Sequence, residues 1–256
     1  MISSVDENTP FEDIVSEIAP GDPFACRIIS LYNSYKPSLV FVDYWLISDE
    51  EGGFNGAIAR NGSNFILLLT PESDIAEVSS FMRVAGATGI ICSGEYELDL
   101  NDPVTVTGVV LRRNEAYPEE NEGLSFVQPD IRDAYSLIVK CADESFVPPS
   151  FEDFYVDVNH KLRHGSISLC AIEEEGRTVA LAMTVAESKS GAVLGAVSCD
   201  PDFRRRGYGS AVVKRLTNIL TGEGKTVFLH RAQNANAAFY TELGFSEVGS
   251  WREYYS

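Results

Sequence analysis

Hydrophobic and polar positions along this chain change period several times, and the changes mark out its elements. From Asp22 to Tyr35 the apolar residues Phe24, Ile28, Ile29 and Leu31 recur at helical spacing, which predicts a helix. Strands are predicted next at Leu39–Ser48, Gly56–Arg60 and Asn64–Leu69, where β-branched, aromatic and leucine residues run between turn residues. A helix is predicted from near Pro71, with Ile75, Val78, Phe81 and Met82 as its apolar positions and Pro71-Glu72-Ser73-Asp74 as its start signal. Strands at Gly89–Cys92 and Val104–Leu111 complete this region.

The stretch Tyr117-Pro-Glu-Glu-Asn-Glu-Gly123 is polar, acidic and carries proline and glycine, so it reads as a seam. Beyond it the pattern predicts helices at Asp130–Asp143 and Phe151–His164, then strands at Ile167–Glu173, Val179–Ala186 and Gly191–Cys199. A helix at Tyr208–Leu220, a strand at Thr226–His230, a helix at Asn234–Leu243 and a strand around Trp251–Tyr255 follow. The order is that of an α/β fold of the α+β kind, a mixed sheet flanked by helices. The first region repeats part of it (helix, three strands, helix, strand), which predicts an internal duplication. The expected domains are residues 1–125 and 126–256.

Composition narrows the function. With 45% hydrophobic and 23% charged residues in 256, the chain is globular. Its 38 acids against 20 lysines and arginines give a net charge of −18. The excess is uneven: residues 1–126 hold 21 acids and 6 bases, and residues 127–256 hold 17 and 14. That balance argues against a nucleic-acid partner and against an anionic membrane surface. No apolar run approaches a membrane span, and Met1-Ile-Ser-Ser-Val-Asp-Glu lacks the basic and apolar segments of a signal peptide. Five cysteines, an odd number with no C-x-x-C pair, read as free thiols in a reducing cytoplasm. His160 and His164 share a helix face but have no third ligand nearby, so no metal is expected.

The chemically informative segment is Cys199-Asp-Pro-Asp-Phe-Arg-Arg-Arg-Gly-Tyr-Gly-Ser210. A strand ends, a turn follows, and a helix begins near Gly207. Unpaired N–H groups at a helix start, the helix dipole, close-approach glycines and Arg204, Arg205 and Arg206 together describe an anion site. A Walker loop is absent. The dinucleotide pattern G-x-G-x-x-G fails at its third glycine, where Val212 stands.

Arg204-Arg-Arg-Gly207-Tyr-Gly209 resembles the R/Q-x-x-G-x-G/A signature of the GNAT superfamily of N-acetyltransferases. Phe239-Tyr240-Thr-Glu-Leu-Gly244-Phe245 is similar to that family's closing helix and Y-x-x-x-G-F ending, and the resemblance covers residues 126–256. It implies a GNAT-like catalytic domain that takes acetyl-CoA as acyl donor and an unidentified primary amine as acceptor. It also implies that Arg204–Ser210, including Tyr208, hold the pyrophosphate. The backbone at Val197, Ser198 and Cys199 would hold the pantetheine and the thioester carbonyl. Gln233 and Asn236 would contact the pantetheine arm, and Tyr240 would act as general acid toward the leaving thiolate. Cys199 itself reads as a packing residue rather than a nucleophile.

The sequence departs from the family on the fifth strand, Thr226-Val-Phe-Leu-His230, which lacks the glutamate that often serves as base. Water, His230 and Glu187 are left as alternatives. The front half has no phosphate loop, since Thr70-Pro-Glu-Ser-Asp74 stands at the corresponding place with acids instead of arginines. It is expected to be a degenerate GNAT-like domain, in an arrangement similar to the glycine N-acyltransferase-like proteins. Covering a sheet edge, shaping the acceptor site or forming a homodimer contact is its expected role. The competing expectation is a non-catalytic sensor or scaffold that binds acyl-CoA without turnover.

Overall fold

The computed structural model describes residues 1–118, 123–142, 147–233 and 235–255. Most of the seam expected at 117–123, the expected helix end at Asp143 and the expected helix start at Asn234 lie outside the described residues. The chain divides into two compact units. The front unit is Met1–Arg112 with His230–Ser256, and the back unit is Arg113–Leu229. The first break falls close to the expected seam. The second places the last 27 residues with the front unit, whereas the sequence pattern groups them with 126–229.

The front unit opens with β1 (Ile2–Ser4), α1 (Phe11–Ile18) and α2 (Pro23–Ser34). The N-terminus of α2 is fixed by Asp22, whose carboxylate accepts from the Phe24 and Ala25 N–H groups at 2.7 and 3.0 Å. Then come β2 (Val42–Ser48), β3 (Phe54–Asn61), β4 (Asn64–Leu69), α3 (Ile75–Ala85), β5 (Gly89–Ser93) and β6 (Val104–Arg113). β1, β2, β3 and β4 pair antiparallel in that order, and β4 pairs parallel with β5 across the α3 crossover. Asp74 caps α3 by accepting the Glu77 N–H at 3.0 Å, and Gly86 ends it in the left-handed conformation.

The back unit repeats the order of helices and strands from β1 to β5. β7 (Phe126–Val127), α4 (Ile131–Cys141), α5 (Phe151–Arg163), β8 (Leu169–Glu174), β9 (Arg177–Glu187), β10 (Gly191–Cys199), α6 (Tyr208–Gly222) and β11 (Thr226–Ala232) follow in sequence. Here too the first four strands pair antiparallel, and the strand before the crossover helix pairs parallel with the strand after it. The duplication expected from the element string is therefore matched in pairing sense as well as in order.

α7 (Ala237–Glu242) and β12 (Ser246–Tyr255) close the chain, and β12 lies between β5 and β6, antiparallel to both. The expected short strand at Trp251–Tyr255 is thus the second half of a ten-residue strand. Trp251 and Tyr254 are its buried anchors. The Trp251 indole donates to the Arg231 carbonyl at 3.2 Å, and the Tyr254 hydroxyl accepts the Leu98 N–H at 2.9 Å. The indole can lie across β6 because residue 108 is glycine. A Cβ there would collide with the indole ring and with the Arg231 carbonyl.

Each unit has its own core. In the front unit Ile47, Ile58, Phe65, Leu67, Val78 and Met82 pack between strands and α3. In the back unit Leu137, Ile138, Val158, Ile167, Leu181 and Met183 pack between α4, α5 and the strands. Gly108→Ala is expected to cost about 1–3 kcal/mol by overpacking against Trp251. The measurement is the urea midpoint of the full chain, and an unshifted midpoint would mean that the indole does not cross β6.

Candidate functional site

The site is built on a break in β10. Its pairing with β9 shifts first between Val193 and Leu194, shifts again after Gly195–Met183, and resumes at Ser198–Leu181. One extra β10 residue is accommodated there, and Ala196 takes a left-handed φ of 43°. The parallel β10–β11 register ends at Leu194–Leu229 among the described residues. Backbone groups beyond Leu194 are thereby released from the ladder toward β11. Val197 and Cys199 are half-buried here and Ser198 is buried.

The turn that follows is braced from α4. The Lys140 ammonium holds both Asp200 carboxylate oxygens at 2.7 and 2.8 Å and one Asp202 oxygen at 3.2 Å. It holds the Asp200 carboxyl below the usual carboxylate range. The Cys141 thiol and the Arg204 Nε both donate to the Cys199 carbonyl, at 3.3 and 3.2 Å. Arg204 therefore fixes the strand end as well as adding charge. The Arg206 guanidinium lies over the Phe203 ring at 4.8 Å and donates to the Asp202 carbonyl. Arg204, Arg205 and Arg206 are all exposed.

Arg205 and Gly207 have left-handed φ values of 64° and 83°, which turn the chain into α6. Gly207 occupies the N-cap position and supplies no side-chain cap, so the N–H groups of the first turn, Tyr208, Gly209 and Ser210, keep that end electropositive. The Tyr208 hydroxyl donates to Glu174 at 2.6 Å, which ties the helix start to the end of β8. Burial and the neighbouring Cys141 push the Cys199 thiol up, with the Gly209 N–H acting the other way. A protonated, half-buried thiol suits a packing role.

The remaining expected residues lie in the front unit. Asn236 begins α7 with a left-handed φ of 53°. The Gln233 carbonyl accepts from the Arg231 guanidinium, which also donates to the Ala232 and Ala235 carbonyls. Tyr240 is half-buried, edge-on to Phe239 and Phe245 at 5.0 and 5.9 Å. Burial pushes its phenol up to about 12, against the opposing charge of Arg231, so it is fully protonated at neutral pH.

Two alternatives for a base are constrained by their surroundings. Glu187 is buried. One carboxylate oxygen accepts the Thr184 hydroxyl at 2.7 Å and the other holds Lys225 at 2.6 Å. That is a structural ion pair. The His230 ring lies between Phe24 and Trp251, with centroids 5.2 and 6.2 Å away, and its nitrogens have no hydrogen-bond partner among the described residues. Burial, with the Arg27 charge beside it, holds His230 well below its ordinary range and keeps it neutral.

Sequence reasoning missed the braces Lys140 and Cys141. They meet the turn from 60 and 58 residues away, so no local signal marks them. Among the described residues no group of three His, Cys, Asp or Glu side chains could hold a metal, and no helix is long and apolar enough to cross a membrane.

Residues 171–256 match the family model described as FR47-like protein. The ribosomal protein bS18-alanine N-acetyltransferase of Escherichia coli K12 is 37% identical over 87 residues, 33% of this chain and 58% of that relative. The Salmonella typhimurium enzyme of the same name is 44% identical over 62 residues, 23% of this chain and 42% of that one. Over that part of its length this chain is similar to GNAT-superfamily N-acetyltransferases. It spans 58% of the length of the E. coli relative. The GNAT fold extends over the whole chain. A tandem GNAT protein from the clavulanic acid biosynthesis pathway superposes with a TM-score of 0.59 at 14% identity, over 100% of this chain and 98% of that one. A GNAT-family acetyltransferase from Colwellia psychrerythraea gives 0.58 at 13%, over 100% and 99%. At these identities the likeness is one of fold.

A GNAT fold implies an acyl-CoA, and the α6 entrance fits a pyrophosphate. Its first turn has no side-chain cap, three arginines stand exposed before it, and the space where a Gly207 Cβ would project is open.

The desolvation of His230 makes stability depend on pH. The unfolded chain binds a proton below about pH 6.5 that the folded state refuses, so stability is full above that pH and falls as pH drops toward the folded value. The loss should reach about 1.4 kcal/mol per pH unit. His230→Phe is expected to flatten this slope between about pH 7 and pH 5 in urea unfolding. An unchanged slope would mean that the imidazole is hydrated.

Proposed function

We propose that this chain is an acetyl-CoA-dependent N-acetyltransferase that moves the acetyl group to a primary amine by direct attack. The observation that carries the reading is the uncapped start of α6 behind left-handed Gly207, fed by a strand whose ladder breaks at Ala196. The N–H groups of Tyr208, Gly209 and Ser210, with Arg204, Arg205 and Arg206, would hold the pyrophosphate. The released backbone at Val197, Ser198 and Cys199 would hold the pantetheine and polarise the thioester carbonyl. Gln233 and Asn236 would contact the pantetheine arm. The amine nitrogen forms the new bond to the carbonyl carbon, the carbon–sulfur bond breaks, and the Tyr240 phenol protonates the departing thiolate. The amine's surplus proton passes to water, and Tyr240 recovers its proton from solvent. The back part of the chain, 126–256, is the catalytic domain in this reading, and 1–125 binds no coenzyme A because Asp74 already caps the equivalent helix. Free thiols at all five cysteines accord with a cytoplasmic enzyme.

A non-catalytic acyl-CoA sensor is the second reading. It is favoured by the engagement of Glu187 with Lys225 and by the burial of His230, which leave water as the base.

Replacing Gly207 and Gly209 together with valine should abolish acetyl-CoA binding by calorimetry, because position 207 requires a left-handed φ and the loop a close phosphate approach. Unchanged affinity would remove the loop from the site. Tyr240→Phe should lower turnover by roughly 10²–10⁴ with acetyl-CoA affinity nearly intact. Full turnover at a pH where chemistry limits the rate would exclude Tyr240 as the acid. Tight binding by the wild type with no thiol release on a broad amine panel would favour the sensor.

A further inference from the structure

The back unit holds a cavity of about 190 Å³ between α4, α5 and the β9–β10 pair. Ile138, Phe154, Val158, Ile167 and Met183 are among the apolar residues of its wall, and it reaches Ala196, the residue at which β10 breaks. In the acetyl-transfer reading that break lies where the thioester carbonyl is held. The methyl of an acetyl group needs only a small part of this space, since an apolar cavity of about 150 Å³ admits a benzene molecule. The space beside the reacting carbonyl therefore belongs to whatever meets it.

Three polar side chains line the cavity, and their hydrogen-bonding groups are engaged. The Thr184 hydroxyl donates to Glu187 at 2.7 Å and accepts the Ser168 N–H at 2.8 Å. Lys161 is paired with Asp157, one helical turn away, at 2.9 Å. A sugar or a polyamine placed here would bury hydroxyl or ammonium groups against carbon, each losing its water without a replacement. An apolar group would lose nothing.

We propose that this cavity receives the apolar body of the acceptor. The acceptor is a primary amine bearing an aryl or branched alkyl group of about the size of a benzene ring, and Val158, Ile167 and Met183 set that preference. The inference rests on the acetyl-transfer reading and sharpens it, because charge alone would equally attract a polyamine or an aminoglycoside.

The test uses the full chain with acetyl-CoA, free-thiol release as readout, and phenethylamine and isoamylamine against spermidine and kanamycin. Acetyl-CoA affinity is measured alongside by calorimetry. Phenethylamine is expected to exceed spermidine by roughly 10- to 100-fold in kcat/KM, the worth of one buried apolar side group. Val158→Phe, which fills the cavity, should lower kcat/KM for phenethylamine at least about tenfold at unchanged acetyl-CoA affinity. If that variant does not fold, the wild-type comparison decides alone. Preference for spermidine or kanamycin, or no turnover of either apolar amine while acetyl-CoA binds, overturns the inference and leaves the loop reading standing. Butyryl-CoA binding more tightly than acetyl-CoA, with no size preference among amines, would give the cavity to the acyl chain and overturn it as well. Failure of acetyl-CoA to bind would remove the acetyl-transfer reading and this inference together.

Discussion

An α-helix begins with N–H groups that its own carbonyls cannot satisfy, and how a chain deals with them decides what can happen at that end. This chain answers twice, at equivalent places in two copies of one element order. α3 starts under the carboxylate of Asp74, which accepts the Glu77 N–H. α6 starts under Gly207, which has no side chain to offer. The first helix start already carries its own anion. The second keeps its electropositive end, has arginines before it, and adopts a left-handed entry that favours glycine. One capping difference thus separates a helix start that carries its own carboxylate from one left without a side-chain cap.

An electropositive end is useful only if its loop is held still, and the holding comes from distant residues. Lys140 clamps Asp200 and Asp202, while Cys141 and Arg204 share the Cys199 carbonyl. Asp200 in turn accepts the Asp202 N–H, so the turn is fixed from within and from α4. At the far end of β9 the buried Glu187–Lys225 pair ties the β9–β10 hairpin to the residue before β11. Removing one partner of such a pair leaves a buried charge, so the pair constrains geometry whatever its net contribution to stability.

Much of this was legible in the residues. The long strands and the helices with a clear apolar face fall where the pattern puts them, and the loop announces itself by adjacent arginines and paired glycines in an acidic chain. Short elements were missed: β1 and β7 have three and two residues, too few for a period. α1 packs on Phe11 and Val15 alone, below the count at which helical spacing shows. The predicted start of β2 at Leu39 was early because Leu39, Val40 and Phe41 are apolar yet exposed, at 39%, 95% and 40%. The place of β12 between β5 and β6 has no linear signature. It depends on pairing with strands well over 100 residues earlier and on a glycine at 108 that the indole of Trp251 and the Arg231 carbonyl explain.

The two titratable rings of the C-terminal segment are shifted in opposite directions by one cause. Desolvation raises the Tyr240 phenol and lowers the His230 imidazole, because in each case burial disfavours the charged form. Both are therefore neutral at physiological pH. A higher pKa makes the phenol certain to carry its proton, and it also makes that proton harder to give up. A neutral imidazole whose cation is disfavoured is a poor proton acceptor, and its nitrogens are sealed between two aromatic rings. The same physical term that keeps Tyr240 protonated disfavours His230 as a base. In the acetyl-transfer reading, deprotonation of the acceptor would then fall to solvent, and an amine bound beside apolar walls would be helped by desolvation, which lowers its own pKa in the direction the chemistry needs.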